Sequence, residues 1–421
     1  MNPRTRTSRR SWRMMTPSLD PLESRQLLSA SPAHAHADTL RLDHAAVVEN
    51  ARHAHNAPTR TSDAAATPAA TSANFSVDTT PSVSSGTLRA TAAIADNDIW
   101  AVGAGNVQDG LLVEHFNGKR WSLVPTPALS SGGINRPGGQ FFGVAGTASN
   151  DVWAVGFKIG PDNPDFGEQL IEHWDGKAWS EVTSPLVEGD SLRAVAAISA
   201  NDVWAVGDRS EQGFENALIE HWDGTAWSIV PDSSISGVAA STSLLMSVSA
   251  DGSNDVWAVG AETLLHFNGT TWSEVPSPLM QANSVTALSP TNAWAVGSKN
   301  VYVRFGQNFR QVPESAIEHW DGTSWSLVSS PNAGLNSSLN GIAAISANDI
   351  VAVGTLTTST GGTGTLIEQW NGTSWTIVSS PDPGTADNSL WGVTALSDGT
   401  VVAVGSQTNQ GTDATPLILR N

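Results

Sequence analysis

Three short stretches decide the fold: Asp202-Val203-Trp204-Ala205-Val206-Gly207, then Leu218-Ile219-Glu220-His221-Trp222-Asp223-Gly224, then Ala226-Trp227-Ser228-Ile229-Val230. Each is rich in β-branched and aromatic residues and is bounded by Gly, Asn or Asp, as strands are. The second and third meet at Asp223-Gly224, the strongest short hairpin signal. A small apolar stretch, Arg193-Ala194-Val195-Ala196-Ala197-Ile198-Ser199, precedes them as a fourth strand.

The unit then repeats. Ala-Val-Gly occurs at 101–103, 154–156, 205–207, 258–260, 295–297, 352–354 and 403–405, seven copies spaced 53, 51, 53, 37, 57 and 51 residues apart. The hairpin signal returns at Asn117-Gly118, Asp175-Gly176, Asn268-Gly269, Asp321-Gly322 and Asn371-Gly372. Four antiparallel strands, seven times over, predict an all-β protein, a seven-bladed β-propeller. Small residues dominate the first strand, where seven strands crowd one axis. Trp recurs on the other three, as packing between blades. The last unit lacks a fourth strand. Residues 74–81, with Phe75 at the Trp position, match the missing strand and are expected to close the ring.

The chain has 421 residues, no Cys, 38 Gly, 17 Trp and a net charge of −19. That composition excludes disulfides, thiolate metal sites and thiol nucleophiles. It also argues against nucleic acid as a partner, which needs clustered Lys and Arg. No apolar run is long enough to span a membrane as a helix. Charge divides the chain: residues 1–73 carry 9 basic and 6 acidic side chains, net +3, and residues 74–421 carry 12 and 34, net −22. Residues 1–30 read as a basic export or sorting segment, although no apolar core follows Arg9-Arg10. Residues 31–73, rich in Ala, Thr, Pro and His, read as a disordered tail and linker. Five His lie there, His34, His36, His44, His53 and His55, and read as solvated.

The pattern Asn-Asp-Val-Trp-Ala-Val-Gly followed by Leu-Ile-Glu-His-Trp-Asp-Gly-Thr resembles a class of bacterial secreted propellers over 74–421. The turn Trp-Asp-Gly-x-x-Trp distantly resembles the Asp-box hairpin of sialidase-type propellers, but Asp and Gly are adjacent here and the leading Ser is absent. Leu22-Glu23-Ser24-Arg25-Gln26-Leu27-Leu28 resembles the LEPR-XLL segment of large bacterial surface proteins, with Ser24 in place of Pro. These resemblances imply a protein that is secreted or held at the bacterial cell surface. A fold carries no function by itself.

Recurrent polar residues read as structural. His115, His173, His221, His266 and His319 share the third strand, with Gln369 in the sixth copy. That strand sits roughly 10 Å outside the first, so equivalent His lie ~15 Å apart, too far for one zinc ion with ~2 Å bonds. They are expected to bond between blades. Glu114, Glu172, Glu220, Glu318 and Glu368 are set aside as a catalytic group by the same distance. Asp98, Asp151, Asp202, Asp255 and Asp349 read as turn formers.

Function is expected where the repeat breaks. The connections between second and third strands vary in length (104–110, 157–169, 208–217, 261–263, 298–315, 355–365, 406–416), as do those between blades, and both emerge on one face. On that face the first strands open around the pore with Arg89, Phe142, Arg193, Leu245, Asn283, Asn340 and Trp391. Arg89, Phe142, Arg193, Asn283, Asn340 and Trp391 form the candidate ligand site. Arg pairs with carboxylates, aromatic faces stack on sugars, and Asn bonds hydroxyls. The expectation is a monomeric, non-enzymatic binding or adhesion module for a glycan or a surface protein, with no cofactor or metal. A purely structural surface repeat is one alternative. A sialidase-like glycoside hydrolase is the other, and it needs Tyr302, the only Tyr, to converge with Arg89 and Arg193 and a third Arg such as Arg304 or Arg310. The loop acids Glu188, Asp190, Asp208 and Glu211, and the segment Asp162-Asn163-Pro164-Asp165, lack the spacing of a catalytic pair or a calcium loop.

Overall fold

The computed structural model describes residues 74–421 except 106–109, 130–137, 160–166, 186–188, 212–213, 237–243, 280, 306–307, 332 and 335. The N-terminal segment, the linker and the Asp162–Asp165 stretch therefore lie outside the described residues, as does Glu188. The described chain is a seven-bladed β-propeller with four antiparallel strands in each blade.

The third blade shows the pattern, with strands Ser191–Ser199, Asp202–Glu211, Phe214–Trp222 and Trp227–Ile229 paired in that order from the axis outward. The seventh blade runs Asp387–Ala395, Val401–Thr408 and Thr415–Arg420. Its outer strand is Ser76–Val77, which pairs with Arg420 and Leu419. Phe75 is buried there beside Val378, Leu417 and Leu419. Asp78 adds an ion pair to Arg420 at 3.4 Å and accepts the Trp121 indole N–H of the first blade at 3.0 Å. The fourth blade has a fifth strand, Ile235–Ser236, parallel to Trp272–Glu274.

Hydrophobic contact between blades holds the ring. Each second-strand Trp meets aromatics on the third and fourth strands of the next blade: Trp100 lies 5.1 Å from Trp174 and 5.3 Å from Trp179, and Trp153 stands at 5.1 and 5.4 Å from Trp222 and Trp227. Such pairs contribute about 0.5–1.5 kcal/mol each beyond the area they bury.

The recurrent His bond inside a blade rather than between blades. His115 meets Asp98 at 2.8 Å, His173 meets Asp151 at 2.8 Å, and His221 meets Asp202 at 2.9 Å. The same ring stacks on the second-strand Trp, His115 at 4.3 Å from Trp100. The recurrent Asp is thus the acceptor for a ring nitrogen, and the turn role is secondary. The sixth blade changes both partners together, with Val351 in place of Trp and Gln369 donating to Asp349 at 2.8 Å.

One end of the ring is uniform. Gly118, Gly176, Gly224, Gly269, Gly322 and Gly372 turn the outer hairpins with φ of 84, 91, 92, 89, 94 and 89°, a conformation that glycine adopts without strain. These turns seat against the adjacent first-to-second turns, since a Cβ on Gly176 would lie 2.8 Å from Asn150 and one on Gly224 2.5 Å from Asn201. The other end varies. The stretch 298–315, expected as a loop, is a long hairpin of strands Asn292–Phe305 and Asn308–Trp320. Cross-strand pairs such as Val301 with Val312 extend the blade through it.

Candidate functional site

The Ala-Val-Gly repeat and the pore mouth are two halves of one device. In every blade the first strand carries a β-bulge opposite that Gly. In the third blade Leu192 pairs with Gly207 and Ala194 with Val206, and Arg193 is the extra residue. The bulge brings the strand backbone onto the glycine. A Cβ at Gly207 would lie 1.9 Å from the Ser191 carbonyl oxygen, and at Gly103 1.9 Å from that of Thr87. No larger residue fits. A bulge re-aims one side chain, and here it aims seven toward the axis.

The seven bulge residues are Arg89, Phe142, Arg193, Met246, Asn283, Asn340 and Trp391. The six candidate ligand residues are thus brought together, and all line one cavity of about 700 Å³. Leu245 is a correction: it pairs with Gly260, is fully buried in the core, and Met246 takes its place at the cavity. The repeated Leu before the bulge residue (Leu88, Leu192, Leu339, Leu390) would have given that register.

Inside the mouth the wall narrows. The residue after each bulge is small, from Ala90 and Gly143 through Ser247 and Ser284 to Gly392. The inner strands approach so closely there that a Cβ on Gly143 would sit 2.9 Å from the Ala194 Cα. The next residue is β-branched in all seven blades: Val144, Val195, Val248, Val285, Ile342 and Val393 line the same cavity as an aliphatic collar that Thr91 interrupts with a hydroxyl. Each pairs with the Ala of Ala-Val-Gly.

The mouth is chemically lopsided. Arg89 stacks over Trp391, its guanidinium carbon 4.4 Å from the ring, and Arg193 stacks over Phe142 at 4.8 Å. The opposite arc holds Asn283 and Asn340, whose amide nitrogens donate to the Leu339 and Leu390 carbonyls at 2.8 and 2.9 Å. The two Arg differ. Arg193 donates from Nε to Asp208 at 2.9 Å, a charge-assisted bond. Arg89 has no carboxylate partner among the described residues, and its buried Nε has no hydrogen-bond partner. Burial, reinforced by the charge of Arg193, lowers the Arg89 pKa. The buried Trp391 Nε1 also lacks an acceptor.

The other titratable candidates lie elsewhere. Tyr302 is 73 % exposed on the long hairpin, opposite Gln311, and does not line the cavity. Asp208 and Asp190 face Arg193 and Arg209 across ion pairs of 2.9 and 3.5 Å. The five recurrent Glu are fully buried on third strands. Burial pushes Glu114, Glu220, Glu318 and Glu368 up to about 7 and Glu172 to about 8. Glu220 accepts from Gln169 at 2.8 Å and Glu318 from Ser277 at 2.7 Å, whereas both carboxyl oxygens of Glu114 and of Glu172 lack partners among the described residues. Among the described residues no cluster of three His, Cys, Asp or Glu is arranged to hold a metal, and no helix is long and apolar enough to cross a membrane.

No family model and no curated protein matches this sequence. Solved structures share its fold. YCF48 bound to D1 peptide is 14% identical with a TM-score of 0.51, over 82% of this chain and 94% of that one. An ulvan lyase, a polysaccharide lyase, is 10% identical with a TM-score of 0.51, over 80% and 94%. A peptide binder and a lyase on one scaffold establish the seven-bladed ring for this chain and leave its activity to its own residues.

Proposed function

We propose that this chain is a secreted or cell-surface binding module whose ligand, a glycan or a protein segment, enters the funnel on the variable face. One observation carries the reading. Seven structurally equivalent bulges, each held by a glycine, deliver five different kinds of side chain into one cavity. A ring serving only as a spacer gains nothing from Arg89 on Trp391, because an unneutralised, half-buried guanidinium costs stability. A concave site with a few convergent polar groups over an apolar floor suits a ligand. The acidic body, net −22 over 74–421, keeps the protein soluble and repels anions except at the funnel.

Tyr302 stands outside the cavity, so the sialidase-like reading has no nucleophile beside the two Arg, and binding without chemistry is favoured. The test is a glycan and peptide array probed with the full chain and with an Arg89→Ala/Arg193→Ala variant. Binding that the variant loses supports the reading. Binding unchanged in the variant places the ligand elsewhere, and an empty array leaves the ring as a structural repeat.

A further inference from the structure

Resting on that reading, we infer that the funnel takes the C-terminal end of a polypeptide, its carboxylate on Arg89 and an apolar last side chain against the collar. The inference rests on which groups at the mouth are already satisfied. Arg193 has Asp208. Asn283 donates both amide N–H groups, to the Leu339 carbonyl and the Ser338 hydroxyl, and Asn340 donates one to the Leu390 carbonyl. Among the described residues, Arg89 Nε, Trp391 Nε1 and the Thr91 hydroxyl are buried in the first and seventh blades without hydrogen-bond partners, and of these groups only Arg89 carries charge. Arg89 stacks on that same Trp391 ring, which fixes the plane of its fork. A planar carboxylate is the anion that accepts two parallel hydrogen bonds from such a fork.

What lies beyond the mouth selects the rest of the ligand. Six of the seven collar residues are Val or Ile, and Met246 adds a flexible apolar wall. A sugar ring at that depth would set most of its hydroxyls against the six aliphatic collar residues, with only the Thr91 hydroxyl placed to bond one, which is unfavourable. An aliphatic or aromatic side chain meets no such penalty. A chain terminus carries a carboxylate and a side chain on one carbon, which matches a cation at the rim and a collar one step below. The 700 Å³ volume leaves room for the residues that precede it.

The experiment titrates the full chain with a labelled Gly/Ser peptide ending in Leu, prepared as free acid and as C-terminal amide. A third probe ends in Asp, and N-acetyl-leucine serves as a competitor. The free acid is expected to bind at least about tenfold more tightly than the amide, the loss of a charge-assisted pair. The Asp-terminated peptide should bind weakly. Arg89→Met, which keeps the stem over Trp391, should bind acid and amide alike, and a thermal midpoint close to wild type would show that it folds. Arg89→Lys should recover part of the preference. Equal binding of acid and amide by the wild type, or an acid preference that survives Arg89→Met, overturns the inference. N-acetyl-leucine binding as tightly as the peptide would replace the polypeptide with a small apolar acid. Arg89-dependent binding of glycans with silent peptides would overturn the inference and leave the binding-module reading standing. Silence from every probe would overturn both.

Discussion

Glu172 offers a sharp test of how the blades are packed. Its carboxyl is fully buried on the third strand of the second blade, and neither oxygen has a hydrogen-bond partner among the described residues. Burial is the main cause of its raised pKa, the Glu181 charge adds to it, and Lys158 opposes it. The folded value, about 8, lies above the unfolded 4.5, so between them the folded state holds a proton that the unfolded state has released. The contribution is therefore intact below about pH 4.5 and is lost as pH rises toward 8. Linkage puts the cost of this one residue at roughly 3 kcal/mol at pH 7 and under about 1 kcal/mol at pH 5. Over about 350 residues, 3 kcal/mol corresponds to roughly 4 °C in thermal midpoint. Glu172→Gln keeps the shape and removes the titration. Its midpoint should match wild type near pH 5 and exceed it by several degrees at pH 8. Exposed Glu274→Gln controls for the relief of net charge and should show no such widening. A gap between Glu172→Gln and wild type that stays constant or narrows as pH rises would refute the reasoning.

Other consequences are as direct. Gly207→Ala forces the Arg193 bulge to move and should cost on the order of 3 kcal/mol by denaturant melting, whereas Gly252→Ala, with open space around it, should be nearly neutral; equal effects would detach the glycine from the bulge. Phe75→Ala empties a core position under the closing strand and should cost about 3–5 kcal/mol; a neutral result would mean that 74–81 does not hold the ring shut. Tyr302→Ala should change neither melting nor funnel binding, and a loss of binding would bring the hairpin into the site. His221→Ala should lower the midpoint through the lost stack on Trp204 and bond to Asp202, without altering binding on the opposite face.

The mouth residues were legible because repetition numbers the strands: once Ala-Val-Gly marks the second strand, the start of the first is found by counting back. Leu245 is one residue off the count: the other six mouth residues each lie 14 residues before the Gly of their Ala-Val-Gly, as Met246 does before Gly260, and Leu245 lies 15 before it. The His partners went wrong because Asp98 and His115 are 17 residues apart in the chain and meet only when the second and third strands pair. The long hairpin was missed because its alternation, Val301 and Val303 against Val312, is interrupted by Arg304, Asn308 and Pro313, which read as loop.

The sequence alone determined the number of blades, the order of strands within each, the uniform turns and the identity of six mouth residues, because each is set by local period and by turn chemistry. Only the tertiary structure decided what those residues face. The bulge pairing makes Gly207 and its counterparts obligatory. The convergence of seven strands sets a Val and Ile collar beneath the mouth. And the distribution of partners, Asp208 for Arg193 and no carboxylate for Arg89 among the described residues, follows from which side chains the ring brings within a hydrogen bond of each other, a distance that no spacing along the chain encodes.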